Sequence, residues 1–307
     1  MTKRYGLPYM GSKNSIASWI LSHMPAADNF YDLFCGGCSI THLAIERRRY
    51  NNFYINDIKR ELPVGFLDCI KGRYREDYRW ISHEEFDLLK GNGDLLVDVC
   101  FSFGNNWRKG YAYSREIEPF KKALHFAVCF GDYSLLRDEF GVTVSNLSEI
   151  SDVRERMARV KMAIGKNVNL PQHLQALDRL QSLERLLGLE RLMCPNMARS
   201  IENIHASFQS YDCVEIKPNS VIYCDIPYRD TAIYNDTPFD YDKFYGWCLR
   251  QTVPVFISEY DMPKEDFVCI AAQSKRVLIN AQSNSQVRVE KLFIPKNQVS
   301  NKPLTLF

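Results

Sequence analysis

Apolar residues near the start of the chain form short, unbroken runs. Two of these runs, at 29–34 and 53–57, predict buried strands. Between them, residues 40–50 have apolar side chains at helical spacing and end in arginines, which the C-terminal end of a helix dipole favours. The order of these segments predicts a strand-turn-helix-strand unit of the kind that binds nucleotides.

The middle of the chain, roughly 59–200, has a different pattern, with more charge and more helical periodicity. Leucines three or four residues apart predict one long amphipathic helix over 174–192. Basic and aromatic residues alternate over 71–80, and the stretch at 103–111 mixes them again among turn-forming residues. We therefore expect this part of the chain to be separate from the sheet.

Short apolar runs return from about residue 203. They predict strands at 220–224, 253–258, 268–271, 277–280 and 291–294. The last of these runs favour a terminal hairpin. The whole pattern predicts an α/β protein in which residues 1–60 and 200–307 form one domain and residues 61–199 are inserted into it.

Composition limits the class of protein and its surroundings. The 307 residues are 46% hydrophobic and 25% charged, which is typical of a folded globular chain. No stretch approaches the ~20 apolar residues of a membrane helix, and no apolar run follows Lys3 and Arg4 as a signal peptide requires. Ten cysteines are too few for a disulfide scaffold, so we expect a cytoplasmic protein with no membrane partner. The net charge of +2 excludes a uniformly basic nucleic-acid coat but allows a local basic face.

Cys35 and Cys38 form a Cys-x-x-Cys pair. A structural zinc site needs about four ligands, usually from two such pairs, and the chain has no second pair. We therefore interpret the two cysteines as small residues in a tight turn, and we expect no metal.

A glycine-containing turn follows the first predicted strand. Gly36 and Gly37 stand where glycine lets backbone amides approach a ligand, and the helix N-terminus behind them favours an anion or a carboxylate. Asp57 ends the next predicted strand, where a carboxylate can accept hydrogen bonds from both hydroxyls of a ribose. Because Gly-x-Gly-x-x-Gly is absent, a ribose-bearing cofactor without pyrophosphate fits better than a dinucleotide. A purely structural turn is the alternative.

Two further motifs lie in the sheet-forming flanks. Lys13, near the N-terminus, can pair with a carboxylate of a cofactor, or it is simply solvated. Asp225, Ile226, Pro227 and Tyr228 directly follow a predicted strand and suit a planar nucleobase with an exocyclic amine. The Asp225 carboxylate and the Ile226 carbonyl can each accept one N–H of that amine, and Tyr228 can stack on the ring. The alternative for this tetrapeptide is a surface turn.

Together and in this order, these motifs resemble the DNA adenine methylase (Dam-like) family of S-adenosylmethionine-dependent methyltransferases. The resemblance covers roughly 5–60 and 203–295. It implies that Lys13 meets the carboxylate of the methionine moiety, that Asp57 binds the ribose, and that residues 225–228 correspond to the catalytic Asp-Pro-Pro-Tyr. The implied cofactor-binding residues are Tyr9, Lys13, Asp32, Phe34, Gly36, Gly37, Ser39, Asp57 and Asp225. The implied catalytic residues are Asp225, Ile226, Pro227 and Tyr228.

The resemblance also implies a fold and a role for the insert. The fold is a Rossmann-like methyltransferase sheet with helices on both faces, and the insert is a mostly helical target-recognition domain. We expect its DNA-binding residues to be Asn105, Asn106, Arg108, Lys109 and Arg115, although the same basic and aromatic stretch fits a solvated face over a small core.

Two residues depart from the family pattern. Cys38 stands where the second glycine of the loop is usual, and a cysteine adopts a positive φ only at a cost. Ile226 replaces the first proline of the tetrapeptide. The replacement keeps the backbone carbonyl at this position but loses the rigidity of proline.

The implied reaction is site-specific transfer of a methyl group from S-adenosyl-L-methionine to the N6 amine of an adenine flipped out of duplex DNA. We expect a monomer that acts on DNA, and a restriction endonuclease is a candidate partner. The alternatives are an N4-cytosine methyltransferase, a methyltransferase that acts on RNA, and a non-catalytic DNA-binding protein on a methyltransferase scaffold.

Overall fold

The structure is a computed structural model that describes residues 5–9, 11–103, 107, 110–167, 170–171, 174, 180–192, 195–228, 239–278 and 285–299. Its strands are β1 (Asn29–Asp32), β2 (Asn52–Asn56), β3 (Ile204–Ser207), β4 (Ser220–Asp225), β5 (Val255–Glu259), β6 (Phe267–Leu278) and β7 (Ser285–Pro295). Its helices are α1 (Ala17–Ser22), α2 (Ser39–Arg47), α3 (Glu61–Ile70), α4 (His83–Leu89), α5 (Glu118–Phe130), α6 (Ser134–Phe140), α7 (Val153–Lys166), α8 (Gln181–Glu190), α9 (Pro195–Ser200) and α10 (Tyr241–Leu249).

The strands form one seven-stranded sheet in the order β3-β2-β1-β4-β5-β7-β6. The first five strands in this order are parallel, and β7 is antiparallel to both β5 and β6. The predicted α/β class and the terminal hairpin are therefore confirmed. The hairpin is longer than predicted, because the two short runs at 268–271 and 277–280 belong to a single strand, β6.

Helices cover both faces of this sheet. Successive residues of a strand point to opposite faces, so Tyr31 and Asp32 mark the two sides of β1. Tyr31 belongs to a buried apolar cluster that includes Phe244 of α10. Asp32 accepts a hydrogen bond from the hydroxyl of Thr41, which lies in α2. All four residues of β1 are buried, as expected for a parallel strand covered on both sides.

The direction in which the sheet is built changes at β1. The chain passes from β1 to β2 and β3 on one side, and β4 later pairs with β1 on the other side. Ligands of open α/β sheets bind in the crevice outside the carboxyl ends of strands at such a switch point. This topology therefore predicts a functional site at the residues that follow β1 and β4.

The chain divides into two compact units. One comprises the described parts of 1–7, 11–71 and 192–307, and the other comprises the described parts of 8–10 and 72–191. These limits differ from the predicted boundaries at 60/61 and 199/200, because α3 packs beside β3 and α9 packs on α2. Both helices therefore belong to the unit that contains the sheet. The assignment of one unit to catalysis and of the other to target recognition stays a prediction.

The described part of the second unit is helical. It contains α4 to α8, and α4 begins with a capping box in which Ser82 and Glu85 exchange hydrogen bonds. The prediction of one helix over 174–192 is wrong at Leu180, which is extended with φ −98° and ψ 92°, so that α8 begins at Gln181. None of the helices in the described ranges combines the length and apolar character needed to cross a membrane.

Candidate functional site

The carboxyl ends of β1 and β4 bring together residues from distant parts of the sequence. Lys13 Nζ lies 2.8 Å from Asp225 Oδ1, the last residue of β4. The Lys13 side chain is only 6% exposed, whereas that of Asp225 is 21% exposed. The ammonium is therefore enclosed, while the carboxylate reaches a surface that a substrate can approach.

The ring of Tyr228 is held on three sides. Its hydroxyl donates a hydrogen bond to Glu290 Oε2 at 2.7 Å. Tyr260 meets the ring edge-on, with 4.5 Å between the ring centroids. Lys13 Nζ lies 4.6 Å from the centroid of the Tyr228 ring, within the range of a cation–π interaction. The orientation of this ring is thus fixed before any ligand binds.

The turn between Asp225 and Tyr228 is held by packing and by one hydrogen bond. Ile226 is 2% exposed and belongs to the same apolar cluster as Leu33 and Phe293. The hydroxyl of Tyr241 donates to the carbonyl oxygen of Pro227 at 2.9 Å. Burial of the isoleucine therefore supplies some of the rigidity that a second proline would give.

The turn between β1 and α2 has the backbone of a glycine loop. Gly36 has φ 48°, and Cys38, just before α2, has φ 57° and ψ 32°. The strain expected at Cys38 is therefore present, since a left-handed conformation costs an L-residue about 1–2 kcal/mol. Such residues persist where the surrounding structure holds them, often at functional sites. The cysteine thus keeps the loop conformation that glycine would adopt.

Asp57 ties this loop to the end of β2. Its Oδ2 accepts a hydrogen bond from the Gly36 amide at 3.0 Å, and its Oδ1 accepts one from the Lys59 amide at 3.0 Å. A carboxylate has about four acceptor positions. Among the described residues two are used, so this carboxylate retains acceptor capacity for a ligand beside the loop.

The segment before Lys13 crosses the glycine loop at close range. The Leu7 amide donates to the Gly37 carbonyl at 2.7 Å. A Cβ placed on Gly6, whose φ is 68°, would lie 2.2 Å from that carbonyl oxygen and 2.6 Å from the Ser39 nitrogen. Only glycine fits this approach, and the sequence reasoning did not single it out.

Asp32 is a buried carboxylate with one satisfied oxygen. Its residue exposure is 1%, and its Oδ2 accepts from the Thr41 hydroxyl at 2.7 Å. Its Oδ1 is buried and has no hydrogen-bond partner among the described residues. Burial raises the pKa of Asp32 to about 7, despite the Thr41 hydrogen bond, and the nearby carboxylates of Asp225 and Asp57 add to the rise.

Electrostatics keep the other groups of the site in defined protonation states. Burial alone lowers the pKa of Lys13, but attraction to Asp225 and Glu290 opposes it and leaves that pKa above its ordinary value. Burial raises the pKa of the Tyr228 phenol well above its usual range, and the carboxylates of Asp225 and Glu290 raise it further. Lys13 is therefore a cation and Tyr228 a hydrogen-bond donor at neutral pH.

Two predicted cofactor residues mainly have structural contacts. The ring of Phe34 packs against Tyr211, Phe239 and Phe244, with centroid distances between 5.4 and 5.8 Å. Ser39 is the buried first residue of α2. Both help to hold the loop, and a direct contact with a cofactor stays a prediction for each.

Of the predicted DNA-binding residues, Arg115 lies in the described part of the second unit. Asn105, Asn106, Arg108 and Lys109 are outside the described residues. Arg115 is exposed and lies 2.7 Å from Glu84, itself exposed. Tyr9, a predicted cofactor residue, groups with the same unit, where its ring meets Trp107 edge-on at a centroid distance of 5.6 Å.

The sequence motifs did not identify Glu290 and Tyr241 as contacts of the tetrapeptide, because neither residue lies in a motif. The described residues contain no group of three or more His, Cys, Asp or Glu side chains placed to hold a metal ion. None of the nine cysteines in the described part of the chain forms a disulfide.

Comparison with known proteins bears on this site directly. Residues 9–137 match the family model of the D12 class N6 adenine-specific DNA methyltransferases. The matched segment includes Lys13, the glycine loop and Asp57, and the seven-stranded α/β sheet fits a methyltransferase fold. The resemblance found in the sequence is thereby confirmed, while Asp225 and Tyr228 lie beyond the matched residues. No curated protein matches the chain.

Proposed function

We propose that this adenine-specific DNA methyltransferase takes a methyl group from S-adenosyl-L-methionine and transfers it to the N6 amine of an adenine flipped out of duplex DNA. One observation carries the proposal. The Asp225 carboxylate and the fixed ring of Tyr228 lie at the switch point of the sheet. The glycine loop and Asp57 lie at the same edge of the sheet, at the carboxyl ends of β1 and β2. A nucleobase site and a ribose site therefore share one crevice.

The chemistry of the loop fits this cofactor. S-adenosyl-L-methionine has a ribose, a carboxylate and no phosphate, and when bound it supplies a methyl group on an electrophilic sulfonium. Asp57 has acceptor positions for ribose hydroxyls. The Lys13 ammonium has three N–H donors, of which Asp225 takes one and the Gly11 carbonyl takes a second at 3.5 Å. We therefore assign Asp57 to the ribose and Lys13 to the methionine carboxylate.

The tetrapeptide suits an exocyclic amine. The adenine amine is a poor nucleophile because its lone pair is delocalised into the ring. Acceptance of its two N–H groups by the Asp225 carboxylate and the Ile226 carbonyl favours a pyramidal nitrogen with a localised lone pair. The Tyr228 ring, stacked on the base, would hold that nitrogen towards the methyl group of a bound cofactor. When the N–C bond forms, the sulfur would leave as a neutral thioether and the amine would lose one proton to water. Catalysis then rests on positioning and electrostatics.

The second unit is proposed to recognise the target sequence. In duplex DNA the adenine amine is paired, so the base must be flipped out at a cost of a few kcal/mol. Phosphate contacts from cations of residues 61–199 would offset this cost and make binding fall with salt. Arg115 is exposed and able to leave Glu84 for DNA. Asn105, Asn106, Arg108 and Lys109 are proposed to contact bases and phosphates with it.

The direct test is a product analysis. The purified full chain is incubated with S-adenosylmethionine labelled in the methyl group and with mixed-sequence duplex DNA, and the DNA is then hydrolysed to identify the labelled base. We expect label in N6-methyladenine, with none when the protein is omitted. Label in N4-methylcytosine would overturn the choice of base, and labelling of RNA in preference to duplex DNA would overturn the choice of substrate. Failure to bind the cofactor would favour the non-catalytic scaffold.

The cofactor assignment predicts a loss of affinity on changing Asp57. Asp57→Ala should weaken S-adenosylmethionine binding by more than about tenfold, because hydrogen bonds to a charged group contribute about 1.5–3 kcal/mol. Titration calorimetry measures this affinity without turnover. Asp57→Asn is the matched variant, because it keeps one oxygen acceptor, and we expect an intermediate loss. Unchanged affinity in both folded variants would show that the ribose binds elsewhere.

A further inference from the structure

A buried carboxylate on β7 contacts the ring proposed to stack on the base. Glu290 is 3% exposed, and its Oε2 accepts the hydrogen bond from the Tyr228 hydroxyl at 2.7 Å. Val289, its neighbour along the strand, is 42% exposed, so Glu290 is the residue that points inward at this place. A charged side chain in this position requires an explanation, because burial of a carboxylate is costly unless it is paired and hydrogen-bonded.

The strand itself does not need a carboxylate there. Residues two apart share one face of a strand, and the next two residues on the face of Glu290 are Leu292 and Ile294, both apolar and buried. The acidic residue interrupts this apolar face where β7 passes Tyr228. An apolar side chain would fill the position at no desolvation cost, but it would leave the Tyr228 hydroxyl without this acceptor.

We infer that Glu290 is a positioning residue that fixes the plane of the Tyr228 ring for stacking on the target base. The inference rests on the proposed function, because it assigns Tyr228 to the base. The Tyr228 hydroxyl keeps this hydrogen bond only while it stays about 2.7 Å from its acceptor, which restricts rotation of the ring. The bond to Glu290 holds the hydroxyl end of the ring, Tyr260 contacts its side, and the Lys13 ammonium lies against it.

Fixing the ring matters because a stacking surface orients the base only if it is itself held. A ring free to turn about its side-chain torsions would let the base tilt and would move the amine away from Asp225. Misplacement of a reacting group by about 1 Å can cost on the order of a hundredfold in rate. The loss should therefore fall on kcat more than on cofactor binding, since Glu290 accepts the hydrogen bond of the Tyr228 ring and acts on Lys13 through electrostatic attraction.

The test uses the full chain, S-adenosylmethionine and duplex DNA that the wild type methylates. Tyr228→Phe removes the donor but keeps the ring, and Glu290→Ala removes the acceptor. We expect each to lower kcat by about tenfold or more, while cofactor affinity changes less than about threefold. The double variant should be no slower than the slower single variant, because both changes break one interaction. Glu290→Gln should recover most of the rate, because its amide oxygen still accepts.

A purely structural role gives a different result. If Glu290 only fills space, Tyr228→Phe keeps the wild-type kcat, or the single losses in kcat multiply in the double variant, and either outcome would overturn the inference. A Glu290→Gln variant as slow as Glu290→Ala would also overturn it, because an acceptor oxygen alone would then not be sufficient. If Glu290→Ala does not fold, an unchanged kcat in Tyr228→Phe would by itself overturn the inference. Tyr50→Phe is the matched control, because it removes a buried hydroxyl that donates to the Pro25 carbonyl, before the amino end of β2. If the wild-type protein forms no N6-methyladenine, the result contradicts the proposed function and not only the role of Glu290.

Discussion

Asp225→Asn is expected to lower kcat for methyl transfer by at least about a hundredfold, since loss of one electrostatic contact to a transition state costs about 10²–10³ in rate. As the amine attacks, positive charge develops on its nitrogen, and a carboxylate stabilises that charge where a neutral amide does not. Asparagine keeps the size of the side chain and an oxygen that can accept from Lys13. The change therefore removes the charge with little disturbance of packing.

The expected signature is a fall in kcat with cofactor binding largely retained. Initial rates with labelled S-adenosylmethionine give kcat, and titration calorimetry gives the affinity, which we expect to change by less than about threefold, because the energetic loss arises in the transition state. Asp57→Asn should show the opposite pattern, with weaker cofactor binding as the larger effect. A near-normal kcat in Asp225→Asn would show that another group accepts from the amine.

Asp225→Ala is a poorer test of the same role. It would leave the Lys13 ammonium buried without its 2.8 Å partner. Removal of one member of a buried ion pair costs about 3–5 kcal/mol, so a loss of activity would combine chemistry with unfolding. Comparison of the two variants by thermal unfolding separates these contributions, since only the alanine variant should be strongly destabilised.

The local pattern of the sequence was sufficient to predict most strands and the loop between β1 and α2. Apolar runs locate buried strands because both faces of a parallel sheet are covered. The same pattern was insufficient for β6, where polar residues at 273–276 interrupt the apolar run although the strand continues as far as Leu278. In the described part of the chain, β7 pairs with β5 only at 291–293, so that end of the hairpin extends past the rest of the sheet and its side chains need not be apolar.

Local sequence patterns could not predict contacts between side chains that are distant in the sequence. The ion pair between Lys13 and Asp225 joins the first and last parts of the sheet-forming unit, and only the strand order places them together. Glu290 was missed because an acidic residue in a strand ordinarily faces water, and a shift of register by one residue exchanges the two faces. Gly6 was missed because its neighbour across the turn, Gly37, is distant in sequence.

Asp32→Asn is expected to stabilise the fold at alkaline pH. The pKa of this buried carboxyl is about 7 in the folded chain, against an ordinary value of 3.8. The folded state therefore holds a proton over a range of pH in which the unfolded chain has lost it, and stability falls as pH rises through that range. Each pH unit contributes about 1.4 kcal/mol, so the penalty above pH 7 is on the order of 4 kcal/mol. The asparagine variant does not have this penalty, because its side chain does not ionise.

The measurement is the free energy of unfolding by denaturant at a series of pH values between 4 and 8.5, for wild type and variant. The difference in stability should grow from about pH 4 and level off above about pH 7, because only the wild type ionises there. Thr41→Val is the control of opposite sign: it removes the hydroxyl that donates to Asp32 Oδ2 and lowers its pKa, so the fall in stability should continue to a higher pH than in the wild type. Parallel curves for wild type and Asp32→Asn would mean that Asp32 has an ordinary pKa. A carboxylate kept at this cost beside the glycine loop is the kind of destabilising group that function retains and that selection for stability alone would remove.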